Sequence, residues 1–493
     1  MFETAEVGNR LSKEAYKAQV PEVRAALLEA QKALAQSGLA VVVHIGGVEG
    51  AGKTEAVNHL LEWMDARGIE IHAMGDPTDE ERERPPMWRF WRRLPPKGRM
   101  AIFLGSWYTD PIVNRAFGKT DEAELDRDLE RISAFEHMLS AEGVLLVKCW
   151  LHITKDLQHD RLKKLSKDPL QSWRVTKRDW RFAKRYDTFR RVSETALMRT
   201  STAEAPWHIV EAADPRYRDL QVARILLKAL NERLEAAKTP VAPAKPDRPK
   251  PPVPNIIRSL DLTRSLSDKA YDKRLPKATA EVGLLTRRLY EKKRSLILVF
   301  EGPDAAGKGG AIRRLTAAMD ARNYRHIAVS APTEEERAHP YLWRFWRNLP
   351  RLGRVTIYDR SWYGRVLVER IEGFCHHEEW ERAYTEINAF EEELTDFGIL
   401  LVKFWLAISP QEQLRRFKER EETPYKTYKI TAEDWRNRSK WNAYEAAAVQ
   451  MVERTSTSWA PWILVEAEDK NHARVKVLET VAEHLSKGLH GKR

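Results

Sequence analysis

Residues 296–309 read Leu296-Ile-Leu-Val-Phe300-Glu-Gly302-Pro-Asp304-Ala-Ala-Gly307-Lys308-Gly309, an apolar run that leads directly into a glycine-rich turn. The apolar run predicts a buried strand, and the pattern after the turn predicts a helix that begins near Gly309. A loop of this kind directs backbone N–H groups inward, and Lys308 adds a positive charge. The stretch therefore predicts a phosphate-binding loop between a strand and a helix.

The whole sequence is duplicated around this stretch. Residues 1–238 align without a gap with residues 256–493, at an offset of 255 residues. The repeated motifs include Trp88-Arg-Phe-Trp91 with Trp343-Arg-Phe-Trp346, Ser106-Trp107-Tyr108 with Ser361-Trp362-Tyr363, and Leu145-Leu-Val-Lys148 with Leu400-Leu-Val-Lys403. Twelve of the 17 Trp residues fall in register, which predicts that most of them pack in two related cores.

Each copy alternates short apolar runs with amphipathic helical stretches. The runs are Leu39–Ile45, Met100–Leu104, Val144–Trp150 and Trp207–Val210 in the first copy, and Leu296–Phe300, Val355–Tyr358, Ile399–Leu406 and Trp462–Val465 in the second. Strands that alternate with helices predict an α/β fold in which helices cover both faces of a parallel sheet. We expect one such sandwich in each copy.

Composition limits the class of protein. The 493 residues include no apolar run near the ~20 residues needed to cross a bilayer, and the acidic start lacks a signal-peptide core, so we expect a cytoplasmic protein. Cys149 and Cys375 are too few for a disulfide framework or a cysteine-rich zinc site. The net charge of +12 indicates an anionic partner and leaves nucleic acid, phospholipid, nucleotides and inorganic phosphate chains open.

The two phosphate loops differ in how well they match the Walker A motif, and the motif alone indicates the first copy as the catalytic one. Residues 47–54 of the first copy match the Walker A pattern G-x-x-x-x-G-K-[ST], with Thr54 available for Mg²⁺. The second copy has Gly309 where the Ser or Thr would stand. A search for the motif would therefore select the first copy.

The chemistry of phosphoryl transfer favours the second copy. Asp359-Arg360-Ser-Trp-Tyr-Gly-Arg365 places an acid of the Walker B type at a strand end, followed by two guanidinium groups. Phosphoryl transfer needs such cations and a metal held by acidic residues. The first copy has Leu104, Gly105 and Asp110 at the three charged positions, so we predict that it is degenerate and non-catalytic. The alternative is a surface ion-pair cluster around Asp359.

A third basic segment lies in the second copy. Residues 420–435 carry Arg420, Lys426 and Lys429 around Pro424, between two helical patterns, and predict a mobile lid that closes cations over phosphates. The first copy keeps only Arg174 of these three cations. A solvated helix face is the alternative interpretation. Cys375-His376-His377 is interpreted as a surface patch, because adjacent residues do not converge on one metal ion.

A proline-rich segment separates the copies. Residues 239–254 contain seven prolines in sixteen positions, which predicts an extended spacer, with an SH3-type ligand as the alternative. We therefore divide the chain into a degenerate, non-catalytic domain at 1–238, a proline-rich linker at 239–255 and a catalytic domain at 256–493.

Together, the phosphate loop, the Trp-Arg-Phe-Trp motif, the segment 359–365 and the lid resemble the polyphosphate kinase 2 family, over essentially all of 256–493 and more loosely over 1–238. The duplicated length resembles the fused two-domain type, the polyphosphate:AMP phosphotransferases. The resemblance implies two tandem P-loop kinase sandwiches, similar to thymidylate kinase, each with a helical lid. It implies transfer of the terminal phosphate of inorganic polyphosphate to AMP, forming ADP, with Mg²⁺ as the cofactor.

The resemblance also implies roles for residues of the second copy. Asp304 and Asp359 would be catalytic acids that hold the metal. The remaining residues would bind phosphates, and they are Gly302, Gly307, Lys308, Gly309, Arg360, Arg365, Arg420, Lys426 and Lys429, with Lys308, Arg360 and Arg365 also counted as catalytic.

Two other classes of function remain open at this point. One is an ATP-dependent nucleotide kinase on the same fold, and the other is a non-catalytic polyanion-binding protein, for which the basic charge would suffice. The expected partners are polyphosphate and AMP or ADP, without membrane or nucleic acid. We also expect a homo-oligomer, a dimer that forms a pseudo-tetramer of domains.

Overall fold

A computed structural model describes residues 1–239, 242–424 and 430–490. The chain divides into two compact units. The first unit comprises Met1–Pro77, Arg89–Val241 and Pro332–Trp343, and the second unit comprises Thr78–Trp88, Ala242–Ala331 and Arg344–Arg493.

The first unit contains a five-stranded parallel sheet. Its strands are β1 (Ala40–Gly47), β2 (Ile69–Ala73), β3 (Met100–Leu104), β4 (Val144–His152) and β5 (Trp207–Glu211), in the spatial order β2-β3-β1-β4-β5. The helices of the first copy are α1 (Lys13–Ala35), α2 (Lys53–Trp63), α3 (Asp79–Arg82), α4 (Trp88–Trp91), α5 (Thr109–Ala116), α6 (Glu122–Ala141), α7 (Lys155–Lys167), α8 (Lys177–Ala183), α9 (Tyr186–Thr200) and α10 (Pro215–Ala236).

The second unit repeats this arrangement. Its strands are β6 (Ser295–Glu301), β7 (Tyr324–Ala328), β8 (Val355–Asp359), β9 (Ile399–Ala407) and β10 (Trp462–Glu466), in the parallel order β7-β8-β6-β9-β10. The helices of the second copy are α11 (Asp268–Glu291), α12 (Lys308–Ala317), α13 (Glu334–Arg337), α14 (Trp343–Trp346), α15 (Val368–Glu372), α16 (His377–Asp396), α17 (Pro410–Glu422), α18 (Ala432–Ser439), α19 (Trp441–Thr455) and α20 (Lys470–His490). The predicted α/β class with parallel sheets is confirmed.

The predicted strands form the interior of both sheets and one edge of each, β5 and β10, whereas the edge strands β2 and β7 were not predicted. The central strands β1 and β6 are buried along most of their length because helices cover both faces, so they read as continuous apolar runs. The edge strand β7 reads Tyr324-Arg-His-Ile-Ala328 and is mostly exposed or half-buried. Such a strand carries neither an apolar run nor a clear alternation.

A buried polar network explains why two of the repeated motifs recur. In the second unit, Lys403 Nζ lies 2.6 Å from Glu391 Oε2, and both side chains are fully buried. Trp362 Nε1 and Tyr363 OH donate to Glu391 Oε1 at 3.0 and 2.6 Å, and Lys403 also donates to the carbonyl of Thr455. The network therefore joins the Ser-Trp-Tyr motif to the Leu-Leu-Val-Lys strand through one carboxylate on α16.

The first unit builds the same network from the equivalent residues. Lys148 Nζ lies 2.6 Å from Glu136 Oε2, and Trp107 Nε1 and Tyr108 OH donate to Glu136 Oε1. Lys148 also donates to the carbonyl of Thr200. Both copies thus keep a buried, fully partnered charge pair in the core. The Ser-Trp-Tyr and Leu-Leu-Val-Lys motifs supply the partners, so the fold needs these motifs whether or not the copy is catalytic.

We expect Glu391→Ala to destabilise the second unit by about 3–5 kcal/mol, because it leaves the Lys403 ammonium buried without its counter-charge. Equilibrium unfolding in urea would measure the loss. Glu479→Ala is the matched control, since Glu479 forms an exposed pair with Arg274 and should cost at most about 1 kcal/mol. A loss of less than 1 kcal/mol for Glu391→Ala would contradict the interpretation.

The proline-rich segment contacts the second unit through a buried arginine. Residues 242–254 form neither helix nor strand. Arg370 Nε donates to Asp247 Oδ2 at 2.7 Å, while Asp247 N donates to the carbonyl of Arg370 at 3.1 Å. Arg370 Nη1 also donates to Tyr384 OH and to Gln450, and the guanidinium lies 3.9 Å from the centre of the Trp380 ring. Part of the predicted spacer is therefore attached to the second unit.

The helices give no sign of a membrane span. Across residues 1–239, 242–424 and 430–490, none combines the length and the apolar character that crossing a bilayer requires.

Candidate active site

The candidate site lies where the chain leaves two adjacent strands of the second unit. β6 pairs with β8 in parallel, and the register places Phe300 opposite Asp359. The phosphate loop that follows β6 and the acid that ends β8 therefore emerge at the same edge of the sheet. In open parallel sheets, ligands bind at this edge, where neighbouring strands connect in opposite directions.

Two glycines give the phosphate loop its shape. Gly302 has φ of +142°, and a Cβ at this position would lie 2.5 Å from the carbonyl oxygen of Leu406 on β9. Gly307 has φ of +109° and forms the N-cap of α12, which begins at Lys308, one residue before the predicted start. Glycine adopts a positive φ without strain and has no Cβ to collide with β9. The loop can therefore run close to β9 at Gly302 and turn into the helix at Gly307.

Lys308 is buried at the base of the loop. Its Nζ donates to the carbonyls of Gly302 and Pro303 at 2.7 and 3.1 Å. Burial lowers the pKa of Lys308, and the nearby Arg360 guanidinium lowers it further. The carboxylates of Asp304, Asp359 and Glu301 oppose this lowering of the pKa, and an anion that enters the site would act in the same direction.

Asp304 is held at the centre of the site by two side chains. Arg360 Nη2 donates to its Oδ1 at 2.6 Å, and Asn437 Nδ2 from α18 donates to its Oδ2 at 2.9 Å. Burial opposes ionisation, but Lys308 and Arg360 outweigh it and hold the pKa of Asp304 below its ordinary value. Asp304 is therefore a fixed, charged carboxylate.

Arg360 occupies a backbone conformation that L residues rarely adopt. Its φ is +61°, and the corresponding Gly105 of the first unit has φ of +75°. The turn after β8 thus keeps one backbone shape in both copies, and the second copy places a large cation in it at a cost of about 1 kcal/mol or more. Strain of this kind is typical of functional sites, where the side chain is needed at that point.

Asp359 lies at the edge of the sheet beside the phosphate loop. It is half-buried at the end of β8. Within the described ranges, no side chain donates a hydrogen bond to its carboxylate, so its oxygens are available to a cation. Carboxylate oxygens are the ligands that Mg²⁺ prefers.

A polar cavity of about 470 Å³ opens beside the phosphate loop. It is lined by Asp304, Lys308, Gly309 and Asp359 among others, and α17 and α20 supply further cations. Eight Lys or Arg side chains and four carboxylates line it, which makes the cavity electropositive. The eight cations are Lys308, Arg313, Arg314, Arg360, Arg416, Arg420, Lys470 and Arg474.

A smaller cavity of about 110 Å³ lies on the other side of Asp304. Trp405, Trp441 and Tyr444 line it together with apolar side chains. Asp304 and Arg360 line both cavities. A charged pair therefore stands between an electropositive cavity and a largely apolar, aromatic one.

Most of the residues predicted for the site meet at these cavities, with one exception among the described residues. Arg365 is buried and pairs with Glu369 at 2.9 Å and Glu379 at 3.5 Å, and it lines neither cavity. The Arg365 side chain here links the turn after β8 to α15 and α16, and its predicted contact with phosphates stays a prediction. Lys426 and Lys429 lie outside the described residues.

A comparison with protein families gives a match in both halves of the chain. The model described as Polyphosphate kinase 2 (PPK2) matches residues 10–238 and 265–492. The chain belongs to the polyphosphate kinase 2 family.

Relatives within the polyphosphate kinase 2 family align along the full chain. A protein of Pseudomonas aeruginosa named polyphosphate:AMP phosphotransferase is 53% identical over 98% of this chain and 98% of its own length. A protein of the same name from Pseudomonas syringae pv. tomato is 50% identical over 99% of each chain. A crystal structure of a polyphosphate kinase 2 family protein from Pseudomonas aeruginosa is 51% identical and superposes with a TM-score of 0.89 over 99% of each chain.

Several polar residues of this polyphosphate kinase 2 site were not predicted from the sequence. Arg474 and Lys470 come from α20, more than 160 residues after the loop, and reach the cavity only through the fold. Arg416 is buried and donates to the carbonyls of Ala305 and Ala306, so it fixes the loop from α17. Glu301 is buried at the end of β6 and accepts from Ser361 at 2.8 Å, and burial raises its pKa.

The equivalent loop of the first copy is filled by its own side chains. Arg218 Nη1 donates to the carbonyl of Ala51, and a Cβ on Gly52 would lie 1.7 Å from this atom. Arg218 also pairs with the adjacent Asp219 at 2.7 Å. Asp219 is the counterpart of Arg474 in the second copy, so the first copy has an acid where the second has a cation. Lys53 pairs with Glu49 within the loop at 3.2 Å. The cations at the first-copy loop are therefore neutralised by neighbouring carboxylates, whereas those of the second copy line an electropositive cavity.

The segment Cys375-His376-His377 is only partly a surface patch. The Cys375 side chain is buried, and its Sγ contacts the carbonyl of Arg365 at 3.7 Å. His376 forms the N-cap of α16, and its backbone N–H donates to Glu379. His377 is exposed. In the part of the chain that the structure describes, no group of three metal-ligating side chains is found.

Proposed function

We propose that this polyphosphate kinase 2 family member transfers the terminal phosphate of inorganic polyphosphate to AMP and releases ADP. One observation carries the proposal: the pair formed by Asp304 and Arg360 lines both an electropositive cavity and an aromatic one. A polyanionic donor suits the first cavity, and the planar base of a nucleotide suits the second. The relatives that align along the full chain are named polyphosphate:AMP phosphotransferases, which supports AMP as the acceptor.

The electropositive cavity supports a phosphate chain as the donor. Its cations come from four regions of the second unit, so a bound anion is contacted from several sides. Arg313 and Arg314 belong to α12 and Arg474 to α20, so all three cations lie outside the loop itself. A chain of phosphates can contact these cations as well as the loop, whereas one terminal phosphate uses only the loop.

The aromatic cavity supports a nucleoside as the acceptor group. The Trp405, Trp441 and Tyr444 side chains surround it, and planar bases stack on such rings. The Trp405 indole N–H is buried and has no hydrogen-bond partner among the described residues. A base with an acceptor atom at this point would satisfy that group.

The residues of the site fit Mg²⁺, which would neutralise charge on the phosphates when bound. Asp359 would hold the metal, because its carboxylate is open, and Asp304 would contribute an oxygen in exchange for Asn437 or Arg360. Two carboxylates agree with the known preference of Mg²⁺ for one or two protein ligands, with the remaining positions left to phosphates and water.

The transfer itself needs positioning more than covalent chemistry. An oxygen of the AMP phosphate attacks the terminal phosphorus of the polyphosphate. The bond from that phosphorus to the bridging oxygen breaks, and the shortened chain leaves with the electron pair. Lys308 and Arg360 stabilise the negative charge that shifts onto the leaving chain, because both cations are already fixed beside the loop.

The experiment that tests this function is a matrix of donors and acceptors. Polyphosphate or ATP is combined with AMP, ADP, GMP or GDP in the presence of Mg²⁺, and the products are separated by chromatography. We expect ADP from polyphosphate and AMP without ATP, and no product after chelation. ADP that forms only with ATP would contradict the proposed donor, and salt-dependent polyanion binding without transfer would contradict an enzyme.

We extend the proposal to the organisation of the chain. The second copy performs catalysis and the first is non-catalytic, which the ion pairs around Arg218 and the exchange of Asp359 for Leu104 support. We also propose a homo-oligomer in the cytoplasm. Sedimentation of the full-length chain would test the assembly, since a single species at 57.2 kDa would contradict it.

A further inference from the structure

The first unit contains a cavity that catalysis does not use. It has a volume of about 360 Å³ and lies beyond the ends of β1 and β3. Its lining is mostly apolar and aromatic, and includes Leu104, Ile112, Trp150, Phe182, Tyr186 and Phe189. The volume falls within the range of about 300–1,000 Å³ that is usual for small-molecule sites.

The duplication places part of this cavity at the position of the acceptor cavity in the second unit, and the rest reaches Lys53, Thr54 and Leu104, whose counterparts line the electropositive cavity. Trp150 corresponds to Trp405, and Gln158 corresponds to Gln413; each lines the cavity of its own unit. The first-unit cavity is the larger one because two side chains are missing. Glu301 and Arg360 are replaced by Gly46 and Gly105.

The outer wall has become more aromatic in the first unit. Phe182 and Phe189 stand where the second unit has Asn437 and Tyr444. Their rings stack with centres 4.6 Å apart and an angle of 18° between the planes. Both side chains are half-buried, so they present ring surface to the cavity. Asn437 and Tyr444 hydrogen-bond to Asp304 and Glu372 in the second unit, whereas the phenyl rings offer the first-unit cavity only apolar surface.

Two buried polar atoms at this cavity have no partner. The Trp150 indole N–H and the His44 Nδ1 atom are without a hydrogen-bond partner among the described residues, and their side chains are 7% and 3% exposed. Both residues line the cavity. A purely apolar ligand would leave both atoms unsatisfied, at a cost of about 1–3 kcal/mol each. A ligand that carries an acceptor for Trp150 and a polar atom for His44 would satisfy both.

The histidine stays neutral in this setting. Burial, with a smaller effect of Lys148, lowers the pKa of His44 to about 3. A neutral imidazole nitrogen donates or accepts, according to its tautomer. It therefore suits a heterocycle that offers an acceptor or a donor.

We propose that the first unit binds a purine nucleotide in this cavity and does not turn it over. The planar base packs against the aromatic wall that Phe182, Tyr186 and Phe189 form, and its ring nitrogens and exocyclic group meet Trp150 and His44. Arg178 lines the cavity, lies over the Phe182 ring and pairs with Asp76 at 3.7 Å, and in this proposal it meets the anionic end of the nucleotide. The missing acid and arginine at Leu104 and Gly105 exclude transfer. The inference rests on the proposed function in one respect, since it takes the second-unit cavity as the nucleotide acceptor site.

Equilibrium dialysis of the full-length protein against labelled AMP, without polyphosphate, tests this proposal. We expect two AMP molecules per chain. Phe182→Ala combined with Phe189→Ala should weaken one site at least tenfold and leave the other unchanged. The matched pair Trp441→Ala and Tyr444→Ala should weaken the other site. Adenosine and ATP, used as competitors, identify which part of the nucleotide is recognised.

A second variant guards against a loss of folding. Trp150→Phe keeps the ring and removes only the N–H, so it should weaken the first-unit site about tenfold with an unchanged melting temperature. One AMP per chain in an enzyme that forms ADP would overturn this inference alone. Two AMP sites in a protein that forms no ADP would overturn the proposed function alone.

Discussion

Asp359→Asn should reduce the rate of ADP formation about a thousandfold, or about 4 kcal/mol of transition-state stabilisation. The substitution keeps the size of the side chain at the end of β8 and removes the charge that is open to a metal ion. The measurement is the initial rate of ADP formation from polyphosphate and AMP at saturating Mg²⁺. The loss should fall mainly on kcat, because the charge acts on the transferring phosphate.

Asp320→Asn is the matched control for this variant. Asp320 belongs to the same unit but forms an exposed pair with Arg322, so its loss should leave the rate within about twofold. Both variants should keep the melting temperature of the wild type. A variant Asp359→Asn that retains a tenth of the activity would remove Asp359 from the proposed catalytic centre.

Lys308→Met should lower the rate of ADP formation by about 100- to 1,000-fold. Lys308 is 9% exposed, and its ammonium is held against the loop carbonyls, so it is fixed before the donor binds. Methionine has a similar length and is apolar, which suits a buried position and limits the effect on stability. Initial rates over a range of polyphosphate concentrations would separate lost binding from lost turnover.

The duplicated chain supplies the control for this prediction. Lys53 is the counterpart of Lys308 in the loop that matches the Walker A pattern, but it pairs with Glu49. Its unit has Leu104 and Gly105 at the positions of Asp359 and Arg360. Lys53→Met should change the rate by no more than a few-fold. If Lys53→Met abolishes the activity and Lys308→Met preserves it, the assignment of the two copies is wrong.

The interior of each sheet could be predicted from the sequence because burial on both faces leaves a visible apolar run. The edge strand β2 reads Ile69-Glu-Ile-His-Ala73, and only its first residue is buried, so its place depends on pairing with β3. That pairing is a tertiary contact. The duplication added information that one copy would not have held, because each motif could be compared with its counterpart.

The centre of the candidate site was predictable because its residues are consecutive along the chain near two strand ends. Asp304 and Lys308 follow β6, and Asp359 and Arg360 follow β8, so parallel strands bring them together. Arg365 shows the limit of this reasoning. Spacing places it near the site, but its side chain turns toward Glu369 and Glu379, and which carboxylate a long side chain meets depends on packing. The cations of α20 gave no local signal at all.

The attachment of the proline-rich segment determines where the chain can be cut. A fragment that begins at Ile256 would lack Asp247, and the buried Arg370 guanidinium would lose an acceptor while its pairing with Tyr384 and Gln450 remained. Gly373, whose Cβ position lies 2.7 Å from Pro246, would become uncovered. Domain excision and gene fusion should therefore retain the chain from Ala242 onward, and a protease site is better introduced upstream of Lys245.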